Sequence, residues 1–359
     1  MTFISTVGQS NLQIERIKVM QQQLSTLQTQ LATGKKTQLF SGLDRDVLTS
    51  KRARATVNMV QTYNQNIENA NRRIKVMSNT IDGIRDQAGD LVNALSVQTQ
   101  EGEFEMESVS DLARKTKDFL IELMNIQDGD RYLFGGADTT NPPVTDTGSL
   151  DTYVQGQFSD WLDATIDTDE FIDSYRDRSA LNDTVMGYSS ALSSGQAKSS
   201  FIRVDERTEI DFTIFANDSG FRDILAATSI IENIDATMDK VAYEEGDAAG
   251  TITAPGADKD AQNSNFYKMF NDVIAMLNGA LDRVETVQFN LSQTQAQISN
   301  IKENNELEKN IMLENIAEVE DVDVNEVAVT LNTLQLQLEA SYRVTASLQQ
   351  FSLASFLGG

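Results

Sequence analysis

Cysteine and histidine are both absent from these 359 residues. Their absence removes disulfides, thiolate nucleophiles, the commonest metal ligands and the usual near-neutral acid–base group. Aromatic residues make up only 7% of the chain, with a single Trp, so the core must come from aliphatic and small side chains. No run of 18 apolar residues occurs, and no transmembrane helix is expected. The first twenty residues lack a basic n-region and a continuous apolar stretch, so they do not read as a Sec signal peptide. Basic residues are scarce, 29 Lys and Arg against 54 Asp and Glu, for a formal charge of −25. Such a field repels nucleic acid and anionic membrane, and neither is expected as a partner. The excess is concentrated between Ala137 and Gln262, where 25 acidic residues face 8 basic ones, and reads as a solvated surface. No phosphate-cradling glycine loop is present, and abundant carboxylates alone do not make a hydrolase. Neither a cofactor nor an enzymatic activity is expected.

Proline is nearly absent too: Pro142, Pro143 and Pro255 are the only three, and the 141 residues before and 104 after them contain none. Long uninterrupted helices require that. With Gly135, Gly136, Gly246, Gly250 and Gly256 nearby, these breakers bracket an insert of about 115–125 residues.

Outside the insert the apolar spacing is helical. Val60, Tyr63, Ile67, Ala70, Ile74, Met77, Ile81, Ile84, Ala88, Leu91 and Leu95 recur at three- and four-residue steps. A matching seam runs through Phe270, Val273, Leu277, Ala280, Val284, Val287, Leu291, Thr294, Ile298 and Ile301. Such seams mark long helices that need partner helices. The spacing predicts helices over Ser10–Ala32, from Asp44 or Asp46 as cap to Gln100, over Met106–Ile126, Asn263–Leu313 and Asn325–Phe356. The second, at 1.5 Å per residue, makes a rod of roughly 80 Å. Val109, Leu112, Thr116, Phe119, Leu123 and Ile126 form the stripe of the third.

Within the insert, Phe201–Val204 and Ile210–Phe215 alternate like strands. Phe221–Tyr243 reads as a helix with Leu225, Thr228, Ile231 and Met238 on one face, and residues 150–200 read as short strands and loops around Trp161. The expected fold is mainly α with a small α+β insert, its long helices forming an antiparallel or parallel coiled-coil bundle from both ends of the chain. Three domains are expected: residues 1–43 with 320–359 as a terminal assembly domain, 44–137 with 263–319 as a helical rod, and 138–262 as an outer insert.

Charge is missing from one further place. Val19–Gly34, Val327–Leu338 and Val344–Gly359 contain no charged residue, whereas a solvated coiled-coil helix carries Glu and Lys on its outer positions. Uncharged amides and hydroxyls tolerate burial better than charges do. Both terminal helices are therefore expected to pack on more than one side, with further copies of the chain as neighbours. The candidate self-assembly residues are Leu12, Ile17, Met20, Leu24, Leu27, Leu31, Val327, Leu331, Leu334, Leu338, Leu348, Phe351 and Phe356. Asp321-Val322-Asp323-Val324-Asn325 resembles the start of a calcium loop, but Glu326 and Asn332 stand where such a loop needs Gly and Glu. The acids read instead as a cap on the last helix. Asp167, Asp169, Glu170 and Asp173 read as a solvated loop. Asn182-Asp183-Thr184 and Asn217-Asp218-Ser219 are glycosylation-type sequons.

These residues resemble a known family. Phe3-Ile4-Ser5-Thr6, followed by Leu24-Ser25-Thr26-Leu27-Gln28-Thr29-Gln30-Leu31-Ala32-Thr33-Gly34-Lys35-Lys36, is similar to the amino-terminal helix of bacterial flagellins and hook-associated proteins. Tyr63-Asn64-Gln65-Asn66-Ile67 fits the next helix. Arg131-Tyr132-Leu133-Phe134-Gly135-Gly136 with Pro142-Pro143 resembles a turn of the hook–filament junction type (hook-associated protein 3). Leu338-Glu339-Ala340-Ser341-Tyr342-Arg343 and Ser352-Leu353-Ala354-Ser355-Phe356-Leu357 are similar to that type's carboxy terminus. Gly42-Leu43-Asp44-Arg45-Asp46-Val47-Leu48 departs from the "D-D-A-A-G-L-A" stretch of filament flagellins, which favours the junction type with the filament subunit as the alternative. The resemblance implies an extracellular flagellar subunit, exported unfolded through the flagellar type III channel with a chaperone. It also implies polymerisation with itself and with neighbouring hook, junction and filament proteins. A soluble coiled-coil adaptor or export-needle tip protein is the competing class.

Overall fold

The computed structural model describes residues 6–101, 106–163, 165–234 and 259–357, without side chains at 6, 7, 9, 10, 100, 101, 259–263 and 348–357. In chain order the elements are α1 (Thr6–Thr33), a 3-10 segment (Phe40–Asp46), α2 (Val47–Glu101), α3 (Met106–Met124), β1 (Gln127–Asp128), β2 (Arg131–Tyr132), α4 (Gly148–Leu162), α5 (Thr168–Ser174) and α6 (Ser190–Ser193). Then follow β3 (Phe201–Arg203), β4 (Glu209–Asp211), α7 (Ser219–Glu232), α8 (Lys259–Glu320) and α9 (Val324–Leu357). They fall into two compact units, Met1–Thr62 with Asn304–Gly359, and Tyr63–Glu303. The fold is mainly α with two small antiparallel sheets, β1 with β2 and β3 with β4.

In the unit Tyr63–Glu303 the two seams are buried as their spacing requires. Ile67, Ala70, Ile74, Met77, Ile81, Ile84, Ala88, Leu91 and Leu95 on α2 share one core with Phe270, Val273, Leu277, Ala280, Val284, Leu291 and Ile298 on α8. Polar bridges run alongside: Arg85 Nη1 donates to Gln288 Oε1 (2.8 Å), and Lys302 Nζ meets Glu68 Oε1 (3.1 Å). As the α2 positions rise the α8 positions fall, so the pairing is antiparallel. The α3 stripe is centred on Val109, Ala113, Thr116, Leu120 and Met124, while Phe119 is exposed. The expected stripe lies about one residue off that centre. The shift follows from α3 packing against α7 as well as against the rod, with Lys117 buried beside Asp151 and Glu232.

The insert differs from expectation between residues 150 and 200. Among the described residues this stretch holds helices α4, α5 and α6 rather than strands. Leu150, Val154, Phe158 and Trp161 repeat at helical steps on α4 and are all buried. Asp167 is no loop acid. Its side chain accepts from the Glu170 N–H (2.7 Å) while Glu170 Oε2 accepts from the Asp167 N–H (3.1 Å), a capping box that starts α5. The strands Phe201–Arg203 and Glu209–Asp211 are shorter than the alternation implied. Helix α7 is buried on all sides from Gly220 to Ile231 rather than on one face, because it is the central helix of the unit. Met238 and the rest of the helix expected beyond residue 234 lie outside the described residues.

The turn after β2 joins the insert to the rod. Phe134 is fully buried and packs edge-on against Phe221, with ring centroids 6.0 Å apart. Its carbonyl accepts from the Ala216 N–H at 2.9 Å. Gly136 has φ +66°, and a Cβ there would stand 2.5 Å from a Phe215 ring carbon, so the position demands glycine twice over.

Trp161 lies in an aromatic cluster, stacked on Phe171 with centroids 5.4 Å apart, and its indole N–H donates to Thr168 Oγ1 at 3.1 Å. Thr168→Val leaves that buried donor unpaired. It is expected to cost about 1–3 kcal/mol, read by denaturant unfolding followed through the fluorescence of this sole tryptophan. An unchanged midpoint would show the hydrogen bond to be dispensable.

Candidate self-assembly surface

The unit Met1–Thr62 with Asn304–Gly359 is built on α1 and α9, which pack against each other. Gly34 ends α1 at φ +69°, with its N–H on the Gln30 carbonyl (2.7 Å). The chain after it forms a short antiparallel bridge to the α8–α9 corner. The Val322 N–H donates to the Gly34 carbonyl (2.9 Å) and the Lys36 N–H to the Glu320 carbonyl (2.7 Å). Further along, Gln21 Nε2 donates to the Tyr342 hydroxyl at 2.7 Å. The end of α1 thus meets the start of α9, and the two helices run antiparallel. Asp323 Oδ1 accepts from the N–H groups of Asn325 (2.8 Å) and Glu326 (3.3 Å), so the acids before α9 act as its cap. The expected Asp44 or Asp46 cap on α2 is replaced by the 3-10 segment, which runs directly into the helix, with Asp44 at φ +47°.

The corner is held by one carboxylate. Glu320 is buried, and both of its oxygens are engaged by Arg54, through Nε at 2.9 Å and Nη2 at 2.6 Å. The Ser50 hydroxyl donates to the same carboxylate, and Lys35 Nζ lies 3.5 Å away. The Arg54 hydrogen bonds hold the Glu320 carboxyl down at about 2, against the opposing cost of burial. Lys35 is in turn raised above its usual value, first by its hydrogen bond to Asp321. Sequence patterns do not reveal this cluster, because Ser50 and Glu320 are 270 residues apart. Its only trace is that a charged Lys35-Lys36 pair follows the charge-free stretch Val19–Gly34.

Of the candidate residues, Ile17, Val327, Leu334 and Leu338 are buried, and Met20, Leu24, Leu27 and Leu331 are half-buried. Leu12 and Leu31 are exposed. Leu348, Phe351 and Phe356 belong to α9, but their side chains lie outside the described residues. The pairing of α1 with α9 therefore covers one stripe of each helix. On the uncovered faces stand Val19, Val329 (68% exposed), Leu336 (62%) and Val344, none of which the seam spacing singles out. Between the helices Leu12, Val19, Met20, Ala340 and Val344 line an open groove of about 780 Å³, with Glu15 and Arg16 also on its wall. Burying one such side chain contributes roughly 1.5–3 kcal/mol. Around them are exposed Gln, Ser, Thr and Asn side chains, which lose less on burial than charges do.

Residues 274–357, which include all of α9, match the family model described as the bacterial flagellin C-terminal helical region. The carboxy-terminal helices are flagellin-like. The match is confined to this carboxy-terminal part of the chain. No helix among the described residues is long and apolar enough to cross a membrane. A solved structure described as a flagellar hook-associated protein from Vibrio parahaemolyticus is 12% identical, over 75% of this chain and 96% of that one, with a TM-score of 0.40. No curated protein matches the chain.

The flagellin-like corner has a defined acid response. A carboxyl depressed in the folded state contributes stability that is complete above its ordinary value of 4.5 and is lost as pH falls towards about 2. Glu320→Gln is expected to lower stability at neutral pH by about 1–3 kcal/mol. It should also flatten the fall in melting midpoint that the unaltered chain shows between pH 4.5 and 2. Parallel pH profiles for the two proteins would remove Glu320 from this role.

Proposed function

We propose that this chain is an axial subunit of the bacterial flagellum, exported unfolded through the flagellar type III channel and polymerised helically through its paired terminal helices. One observation carries the reading: the α1–α9 pair covers one stripe of each helix and leaves partly apolar faces in solvent that carry no charge over Val19–Gly34 and Val327–Leu338. Faces such as those at Val329 and Leu336 gain most when other copies cover them. Residues 1–43 with 320–359 then serve assembly, residues 44–137 with 263–319 form the shell, and residues 138–262 project outward. The thirteen candidate residues, from Leu12 to Phe356, combine the contact between α1 and α9 with the contacts between copies.

Within the flagellum the hook–filament junction is the favoured place. Arg131–Gly136 with Pro142 and Pro143 supports it, as does the departure of residues 42–48 from the filament-type stretch. Partners are then the hook, junction and filament proteins, with a chaperone during export. The filament subunit is the alternative.

Deletion of residues 1–40 or 320–359 is expected to leave a helical, soluble protein that no longer assembles onto hook or filament. Assembly by either truncated chain would overturn the reading. Immunogold label confined to the hook–filament boundary is the outcome expected of the junction type, and label along the whole filament that of the filament subunit.

A further inference from the structure

A second surface, in the unit Tyr63–Glu303, has the opposite character to the chain around it. Arg73 on α2, Arg131 on β2 and Arg203 on β3 stand with Asn69 around a concavity of about 290 Å³. Its floor is apolar, formed by Ala70, Ile202 and Phe212, all buried, and the exposed ring of Phe201 stands beside it. No carboxylate lines it, in a chain where acidic residues outnumber basic ones 54 to 29.

Two of the arginines, Arg131 and Arg203, are exposed and only lightly engaged by their own chain. Arg73 is held by Asp128 at 3.3 Å, with both side chains largely buried, whereas Arg203 reaches Glu209 at 3.3 Å with both of those side chains more than half exposed. The contact of Arg131 is to Thr139 Oγ1, at 3.4 Å, and it has no carboxylate partner among the described residues. Each guanidinium carries five N–H donors in a planar fork suited to carboxylate, so the rim has donors to spare. The volume equals that of roughly ten waters, which fits a few acidic side chains with their methylenes against the apolar floor. It does not fit a folded domain.

The same chain carries a surface of matching charge. From Ala137 to Tyr175 there are nine acidic residues and no Lys or Arg. Asp160 and Asp163, at the end of α4, are exposed and make no ion pair within the copy among the described residues. We infer that the arginine-rimmed concavity of one copy receives the Asp160–Asp163 face of a second copy, a lateral contact distinct from that of the terminal helices. The inference rests on the self-assembling reading above and adds which surfaces meet. Exposed ion pairs are individually weak and screened by salt, so this contact sets register between copies rather than driving polymerisation.

The test uses the full chain carrying Val329→Glu and Leu336→Glu, which disable the terminal faces. Self-association is measured by sedimentation velocity at about 20 mM and about 500 mM salt, where screening is respectively weak and strong. Association is expected at low salt only, weakened at least about tenfold by Arg131→Asp with Arg203→Asp, and restored when Asp160→Arg and Asp163→Arg are added to the same chain. Circular dichroism confirms that helix content is unchanged. Monomers at low salt, association indifferent to the arginines, or failure of the charge swap to restore it would each overturn the contact. Because the background lacks the terminal contact, those results leave the polymerisation reading standing. That reading fails instead if chains with native termini do not assemble.

Discussion

The antiparallel packing of α2 on α8 is the constraint on which the rest of the unit Tyr63–Glu303 depends. Neither helix can hold itself in water over such a length, because helix stability in proteins comes from burying an apolar stripe. Small residues at Ala70, Ala88 and Ala280 alternate in the seam with the larger Ile67, Ile74, Leu91 and Phe270, all in one shared core. The insert meets this pair through α7. Helix α7 reaches it through Gly220, where a Cβ would stand 2.7 Å from Val284 Cγ2, and the turn at Phe134–Gly136 returns the chain onto α7. Buried charges at Lys117 and Arg222 then fix the orientation of α3, α4 and α7, each paired with acids from distant segments.

The unit formed by the two chain ends follows a different plan. Its hairpin has a thin core, a sparsely charged exterior and one buried ionic corner. A buried carboxylate is tolerable only with full compensation, and Glu320 has it from Arg54, Ser50 and Lys35. Ser50 is buried with the carboxylate while Arg54 and Lys35 remain partly in water, so the cluster orients the corner without stranding an unpaired charge. This sets the direction of α9 relative to α1 while leaving the outer faces of both helices open. Such an arrangement suits the proposed packing against further copies: a defined hairpin whose remaining surface carries few charges that are costly to bury.

Much of this was legible in the chain itself. The seams from Val60 to Leu95 and from Phe270 to Ile301 are buried where the three–four spacing places them, apart from the half-buried Tyr63, Val287, Thr294 and Ile301. The proline-free stretches are helices to within a few residues, except that α8 continues to Glu320. What escaped were segments whose environment is set by more than one neighbour. Residues 150–200 were hidden by their Asp and Ser content, although Leu150, Val154, Phe158 and Trp161 already carry a helical period. The α3 stripe is displaced because two surfaces share it, and α7 is buried all round because it lies inside the unit. Apolar periodicity reports a single contact face, and it misleads where a helix has two.

The sequence by itself determined the long helices, their need for partners, the proline-bracketed insert and the uncharged ends, because each follows from spacing and composition along a local stretch. It also carried the flagellin-like motifs. Tertiary structure alone decided that α1 and α9 run antiparallel and that Ser50 and Arg54 close on Glu320 across more than 260 residues. It also gathered Arg73, Arg131 and Arg203 around one acid-free concavity. Those arrangements depend on which distant surfaces share a core, and a hydrogen bond between residues remote in sequence leaves no period to read.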